Sequence, residues 1–244
     1  MSYIEIPPHP ALKKYISTYW LVESDGEAAK RTAILPDGCV DIIINLEDDY
    51  KTQEGVILMK SETVYLIGTM TQVKETLTQS RSKLLGIRFK PAAFSLFYTY
   101  SSLHEVTNTN VELERNLAPD IQQIKKHKIA YLDQFFLDRL SVKHNVLMPV
   151  IEDIYHLQGQ MKINELAQRH CTTVKQLERR FKYDVGTSPK EFMNLVRYFS
   201  TSQQIKNNIH GKSLAQIAYE TGYYDHAHLT KEIKKYSGAA PSKL

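Results

Sequence analysis

Residues 165–189 read ELAQRHCTTVKQLERRFKYDVGTSP, and residues 216–241 read QIAYETGYYDHAHLTKEIKKYSGAAP. At an offset of 52, Leu177 meets Leu229, Phe181 meets Ile233, Lys182 meets Lys234, Gly186 meets Gly238 and Pro189 meets Pro241. Upstream, Leu166-Ala167 meets Ile217-Ala218 at an offset of 51, so the second copy carries one extra turn residue. The repeated unit is a short helix, a tight turn, a longer helix, a glycine stop and a proline. That is the helix-turn-helix arrangement, in which the second helix packs one face on the protein and offers the other to a DNA major groove.

Local chemistry agrees in both copies. Thr173 is a good N-cap, and Gln176 three residues later completes a capping box. On the helix that follows, Leu177, Phe181 and Asp184 share one side, while Lys175, Arg179 and Lys182 cluster on the other. In the second copy Asp225 is the N-cap, Leu229, Ile233 and Tyr236 form the inner stripe, and Ala227, Lys231 and Lys234 face out. Asp225, His226 and His228 are metal ligands by type. Two histidines two positions apart on a helix, however, point about 200° from each other, and metal-binding pairs sit at i and i+4. The stretch is better read as the start of a DNA-reading helix.

Between the copies, residues 188–209 carry apolar residues at 192, 195/196, 199, 205 and 209, which predicts one continuous helix. Its length would be roughly 33 Å at 1.5 Å per residue, close to the ~34 Å between successive major grooves on one DNA face.

The first ninety residues read differently. STYWLV, VDIIINL, GVILM, TVYLIG and KLLGIRF are short, rich in β-branched and aromatic residues and bounded by turn formers. Pro36-Asp37-Gly38 has turn chemistry. These runs predict a small antiparallel barrel or sandwich. PAAFSLFY, from Pro91, predicts a short helix with proline in its first turn. Residues 119–141 predict helices with Ile129, Leu132, Phe135, Phe136 and Leu140 on one stripe, either a dimer face or a cover for the barrel mouth. Polar SVKHN (141–145) reads as a linker. The fold class is therefore α+β: residues 1–143 form a β-rich domain with helices, and residues 147–244 an all-α domain with two helix-turn-helix units joined by a long helix.

Charge follows this division. The chain carries 31 Lys and Arg against 27 Asp and Glu. From residue 145 onward, 14 basic residues face 9 acidic ones; the remainder carries 17 against 18. A near-neutral part followed by a basic part suits a C-terminal region that meets a polyanion. No apolar run approaches the ~20 residues of a membrane span, and no basic-then-apolar leader opens the chain. Cys39 and Cys171 match no zinc or disulfide framework, and a reducing cytoplasmic setting is the expectation. The terminal Ser-Lys-Leu formally matches a peroxisomal address, a match that three common residues make by chance.

The two repeats, with ELAQ…LERRFKYDVGTSPKEFMNLVR and SLAQIAYETGYYDHAHLTKEIKKYSGAAPSKL as carriers, resemble the DNA-binding domain of the AraC/XylS family of bacterial transcription regulators. The departures are Ala227 for the usual serine, Leu229 and Ile233 for phenylalanines, and Ala240 for threonine. Cys171 stands in the first turn where Gly222 stands in the second, a non-glycine at a position expected to be strained. The family pattern also has a short helix after Pro241. Upstream, YISTYWLV, LPDGCVDIII and GIRFKPAAF resemble the N-terminal domain of one AraC-type subgroup, which implies a β-rich sensing or dimerisation domain.

On the outward face of the first unit, Lys175, Gln176 and Arg179 are the candidate base readers, Arg179 for guanine and Gln176 for adenine. For the second unit the resemblance implies His226, Ala227, Thr230 and Lys231. Lys182, Lys234 and the helix starts at Ser188 and Ser213 are phosphate candidates. Tyr19, Trp20, Tyr65 and Arg88 are candidates for an effector pocket, although strand aromatics more commonly build core. Double-stranded DNA is the expected partner. A small-molecule effector, RNA polymerase and a second copy of the chain are further candidates, with no cofactor, metal or membrane.

A competing class, a cupin-like metal enzyme in the N-terminal domain, would have to use His9, His104, His127 and His144, which are scattered and mostly outside the strands. No nucleophile elbow, P-loop or dinucleotide fingerprint occurs. A non-specific architectural DNA binder remains the third class.

Overall fold

The computed structural model describes residues 2–25, 30–51, 56–78, 81–141, 145–207 and 211–244. Among the described residues ten strands come first: β1 (Ser2–Ile6), β2 (Ile16–Ser24), β3 (Lys30–Ile34), β4 (Val40–Asn45), β5 (Tyr50–Lys51), β6 (Ile57–Met59), β7 (Val64–Ile67), β8 (Lys74–Thr78), β9 (Ser82–Phe89) and β10 (Asn110–Glu112). A six-stranded antiparallel sheet runs β1-β2-β9-β4-β7-β10, and β3–β8 and β5–β6 form two further two-stranded sheets. The five predicted runs correspond to β2, β4, β6, β7 and β9.

Alternation along the central strands makes two apolar faces. On one, Tyr19, Ile42, Ile44, Leu66, Leu85, Ile87 and Phe89 are buried. Phe89 is central there: the rings of Phe94, Phe97, Tyr98 and Phe136 lie 5.3–6.4 Å from it, three of the four edge-on. Truncating Phe89 to alanine would cost about 3–5 kcal/mol. On the other face Trp20, Tyr65 and Leu84 gather with Met59. Gly86 stands opposite Trp20 in the register, and a Cβ there would fall 1.9 Å from the indole. The ring takes the space a side chain would need.

The first face is covered by helix α1 (Ile121–Arg139), which buries Ile124, Leu132 and Phe136. Of the two roles expected for the Phe135–Phe136 stripe, it is the covering one that is realised within the chain. The helix is kinked at Lys128 (φ 51, ψ −131). The helix expected from Pro91 is instead a set of turns closing in a 3₁₀ segment, Phe94–Leu96. Ala92 adopts φ 64, which no α-helix accommodates, and Phe94, Leu96, Phe97 and Tyr98 are all buried, so no solvent face remains to define an amphipathic period.

Six further α-helices follow among the described residues: α2 (Met148–His156), α3 (Ile163–Arg169), α4 (Val174–Asp184), α5 (Pro189–Lys206), α6 (Leu214–Glu220) and α7 (His226–Ser237). Residues 142–144 of the expected linker lie outside the described residues; its ends are tied to the N-terminal part. Ser141 N–H donates to Leu96 O, and Asn145 Nδ2 donates to Ala92 O at 2.6 Å. The joining helix is shorter than the apolar stripe predicts. It ends at Lys206 with Asn207 as C-cap, about 27 Å long, and Ile209 lies outside the described residues. After Pro241 the chain makes one 3₁₀ turn, Pro241–Lys243.

Candidate nucleic-acid interface

Helix α5 belongs to two cores at once. Its Phe192, Met193 and Val196 join Val150, Ile154, Leu166, Leu177, Phe181 and Val185 in the first unit. Its Leu195 and Tyr198 join Ile217, Ala218, Tyr223, Leu229, Ile233 and Tyr236 in the second. At 100° per residue these two sets leave different sides of the helix. One rigid element therefore carries both helix-turn-helix units.

Each unit is built as its local chemistry dictates. Thr173 Oγ1 accepts from Gln176 N, and Gln176 Oε1 accepts from Thr173 N and Thr172 Oγ1. Asp225 Oδ1 accepts from His228 N at 2.7 Å. In the α3–α4 turn Cys171 has φ 48, and in the α6–α7 turn Gly222 has φ 75. The same left-handed corner is thus made by a cysteine in one copy and by the permissive residue in the other.

Lys175, Gln176 and Arg179 on α4, and His226, Ala227 and Lys231 on α7, are exposed, as are Lys182 and Lys234. Among the described residues none of these lysines, nor Arg179, is paired with a carboxylate. Neighbouring cations are engaged: Arg169 with Asp153, Lys212 with Glu220, and Lys235 with Glu191. The outward faces of both second helices therefore present uncompensated charge.

Three expected roles are narrowed by the geometry. Gln176 spends its carbonyl on the cap, so bidentate recognition of adenine would break it; its Nε2 is the group left to offer. Thr230 is half-buried and donates to His226 O one turn back. Ser188 and Ser213 spend their oxygens as N-caps, accepting from Glu191 N and Gln216 N. His228 lies edge-on to Tyr223, ring centroids 5.3 Å apart.

Residue-type reasoning missed Arg197, on α5. It donates from Nη1 to Gly222 O and from Nη2 to Asn194 Oδ1, and its guanidinium lies 4.7 Å from the Tyr223 ring centroid. It ties the second turn to the joining helix. Missed too are Tyr219 and Tyr224, 87% and 92% exposed beside that turn. Tyr219 stands near the end of the short helix α6 and Tyr224 in the turn itself, and a lone exposed aromatic carries no periodic signal.

The four effector candidates do not line one cavity. Tyr19 is fully buried on the α1 face, its hydroxyl donating to Asp133. Trp20 and Tyr65 are on the opposite face, and Arg88 shares that face with Asp41. Period-2 alternation separates Tyr19 from Trp20, although they are adjacent in sequence. Arg88 Nε sits 3.3 Å from both Asp37 and Asp41. Burial pushes the Asp41 carboxyl up to about 6; Arg88 opposes that shift and Asp37 adds to it.

Among the described residues no helix is long and apolar enough to cross a membrane, and no three His, Cys, Asp or Glu side chains gather as a metal-ligand set.

Two helix-turn-helix units on one helix, each with an uncovered basic second helix, define the class of two-headed DNA-binding domains. Residues 166–244 match a family model described as a helix-turn-helix domain, and residues 4–112 match one described as a domain of unknown function (DUF6597). The chain thus carries a helix-turn-helix domain in its C-terminal part, behind a DUF6597 domain. Among curated proteins, none matches the chain.

Similar solved structures include apo ToxT, in a variant form, from Vibrio cholerae (11% identity, 92% of this chain and 96% of that one, TM-score 0.48). Wild-type ToxT bound to an unsaturated fatty acid is another (13%, 92% and 94%, TM-score 0.47). A third is the C-terminal domain of AraT, a response regulator from Geobacillus stearothermophilus (17%, 42% and 85%, TM-score 0.37).

Proposed function

We propose that the chain is a sequence-specific transcription regulator that reads double-stranded DNA with α4 and α7 in successive major grooves. Lys175, Arg179 and the Gln176 amide read bases in one groove, and His226, Ala227, Thr230 and Lys231 read them in the next. Ala227 meets a thymine methyl, and His226 offers one hydrogen bond. Lys182, Lys234 and the helix starts at Ser188 and Ser213 meet phosphates and set the register. The functional division falls between residues 143 and 147. The N-terminal domain modulates binding, through a small-molecule effector or a second copy of the chain, and RNA polymerase is the downstream partner. The protein works in the cytoplasm and catalyses no reaction.

The observation that carries this reading is the shared helix. Two copies of one unit, each with outward cations unpaired among the described residues, pack on different sides of α5. At about 27 Å, α5 falls short of the ~34 Å groove repeat. Both heads therefore engage through their offset from its axis, or on DNA bent toward the protein.

Selection of binding sites from random duplexes, followed by competition, tests the proposal. A preferred site should bind about 10³-fold or more tightly than random DNA, with two protected segments roughly 10 bp apart. Equal binding to all sequences would replace the regulator with a non-specific architectural protein.

A further inference from the structure

The two reader helices end differently. Both close on their own backbone, Gly238 N–H donating to Lys234 O and Gly186 N–H to Phe181 O, but α7 adds a side chain of its own, Ser237 Oγ donating to Ile233 O. At the position of Ser237 the first copy has Val185, which is buried and has no hydroxyl to give. Carbonyls at and beyond the end of α4 are satisfied instead by the N-terminal domain. Ser102 Oγ donates to Lys182 O at 3.2 Å, and Thr69 Oγ1 donates to Val185 O at 2.5 Å. Gly186 O accepts twice, from Thr107 Oγ1 at 2.7 Å and from His104 Nδ1 at 3.0 Å. A carbonyl can only accept, so the His104 proton is on Nδ1. In return Tyr183 Oη donates to Tyr100 O.

The last carbonyls of a helix lack intrahelical donors, and whatever supplies those donors fixes how the helix end sits. Here the supplier is another domain, and it grips the end of α4 remote from the base readers. Lys175 and Arg179 stay exposed with the contact made, so the grip does not cover the DNA face. Near the end of α7 the same domain places Val73 Cγ1 3.4 Å and Glu75 Oε1 3.8 Å from where a Gly238 Cβ would stand.

We propose that His104 and Thr107, acting through Gly186, are positioning residues for the first reader helix. They hold α4 at a set angle to α7, and so let the N-terminal domain determine which half-site spacing the protein accepts. This rests on the reading of α4 and α7 as DNA readers. A change in the N-terminal domain would reach DNA as a change in spacing preference.

The test uses the full chain and a panel of duplexes carrying the selected site with its two half-sites moved apart or together by one to three base pairs. In His104→Ala/Thr107→Val, discrimination between the selected and shifted spacings should fall roughly tenfold, the worth of one or two lost hydrogen bonds. Affinity for a duplex with the α4 half-site alone should stay within about twofold. Thr107→Ser, which keeps the hydroxyl, should behave as the parent. If the double variant does not fold, Thr107→Val alone makes the comparison. Unchanged spacing discrimination in a cooperatively folded variant overturns the proposal. A parent chain that selects no site overturns the DNA-reading assignment itself, and this inference with it.

Discussion

The guanidinium of Arg197 donates to Gly222 O at 3.3 Å and lies over the ring of Tyr223, so that the joining helix clamps the second turn where it enters α7. Replacing Arg197 by alanine should lower stability by about 1–3 kcal/mol, from two hydrogen bonds, to Gly222 O and Asn194 Oδ1, and one cation–π contact. It should also weaken DNA binding through the α7 half-site alone. Arg197→Lys keeps the charge and loses the fork, so it should restore stability in part. Urea unfolding midpoints, with binding measured on each half-site, would check this; equal weakening on both half-sites would speak against a local clamp.

Arg179 and Lys234 should fail in different ways. Arg179→Ala should cost roughly 1–3 kcal/mol and relax preference at one base pair. Lys234→Ala should weaken binding to every sequence and reduce the slope of log affinity against log salt by about one. Site selection with the first variant and salt titration with the second separate base reading from phosphate contact.

The left-handed corner gives a prediction with opposite signs in the two copies. Cys171 holds φ 48 at the cost a side chain bears there. Cys171→Gly should therefore stabilise by about 0.5–1 kcal/mol, while Gly222→Ala at φ 75 should destabilise by about 1 kcal/mol. Chemical denaturation of both variants reads the pair.

Asp41 should leave a mark on the pH dependence of stability. Its carboxyl sits at about 6, above its ordinary value of 3.8, because burial disfavours the charge. The folded state then holds that proton more tightly than the unfolded state does. The group's contribution is greatest below about pH 4, declines as pH rises toward 6 and is level above that. Unfolding free energies measured from pH 4 to 7 should show this decline, and Asp41→Asn, which leaves Arg88 its contact with Asp37, should flatten it.

Much of the C-terminal domain was readable from local chemistry. The capping residues Thr173 and Asp225, the stripe Leu229–Ile233–Tyr236 and the left-handed position of Cys171 rest on interactions within four residues, and such interactions leave a periodic trace. Strands β2, β4, β7 and β9 were legible for the same reason. The segment after Pro91 was not: burial on all sides erases periodicity, and the positive φ of Ala92 has no side-chain signal. Joining the effector candidates into one pocket overlooked that neighbours on a strand face opposite ways.

Sequence alone determined the duplicated unit, the basic outward faces and the β-rich character of the first ninety residues, because each follows from residue type at short, regular spacing. Tertiary structure alone decided that Arg197 clamps the second turn and that His104 and Thr107 hold the end of α4. Those contacts join residues 25 to 82 positions apart, and no local pattern encodes which distant donor an unsatisfied backbone group will find.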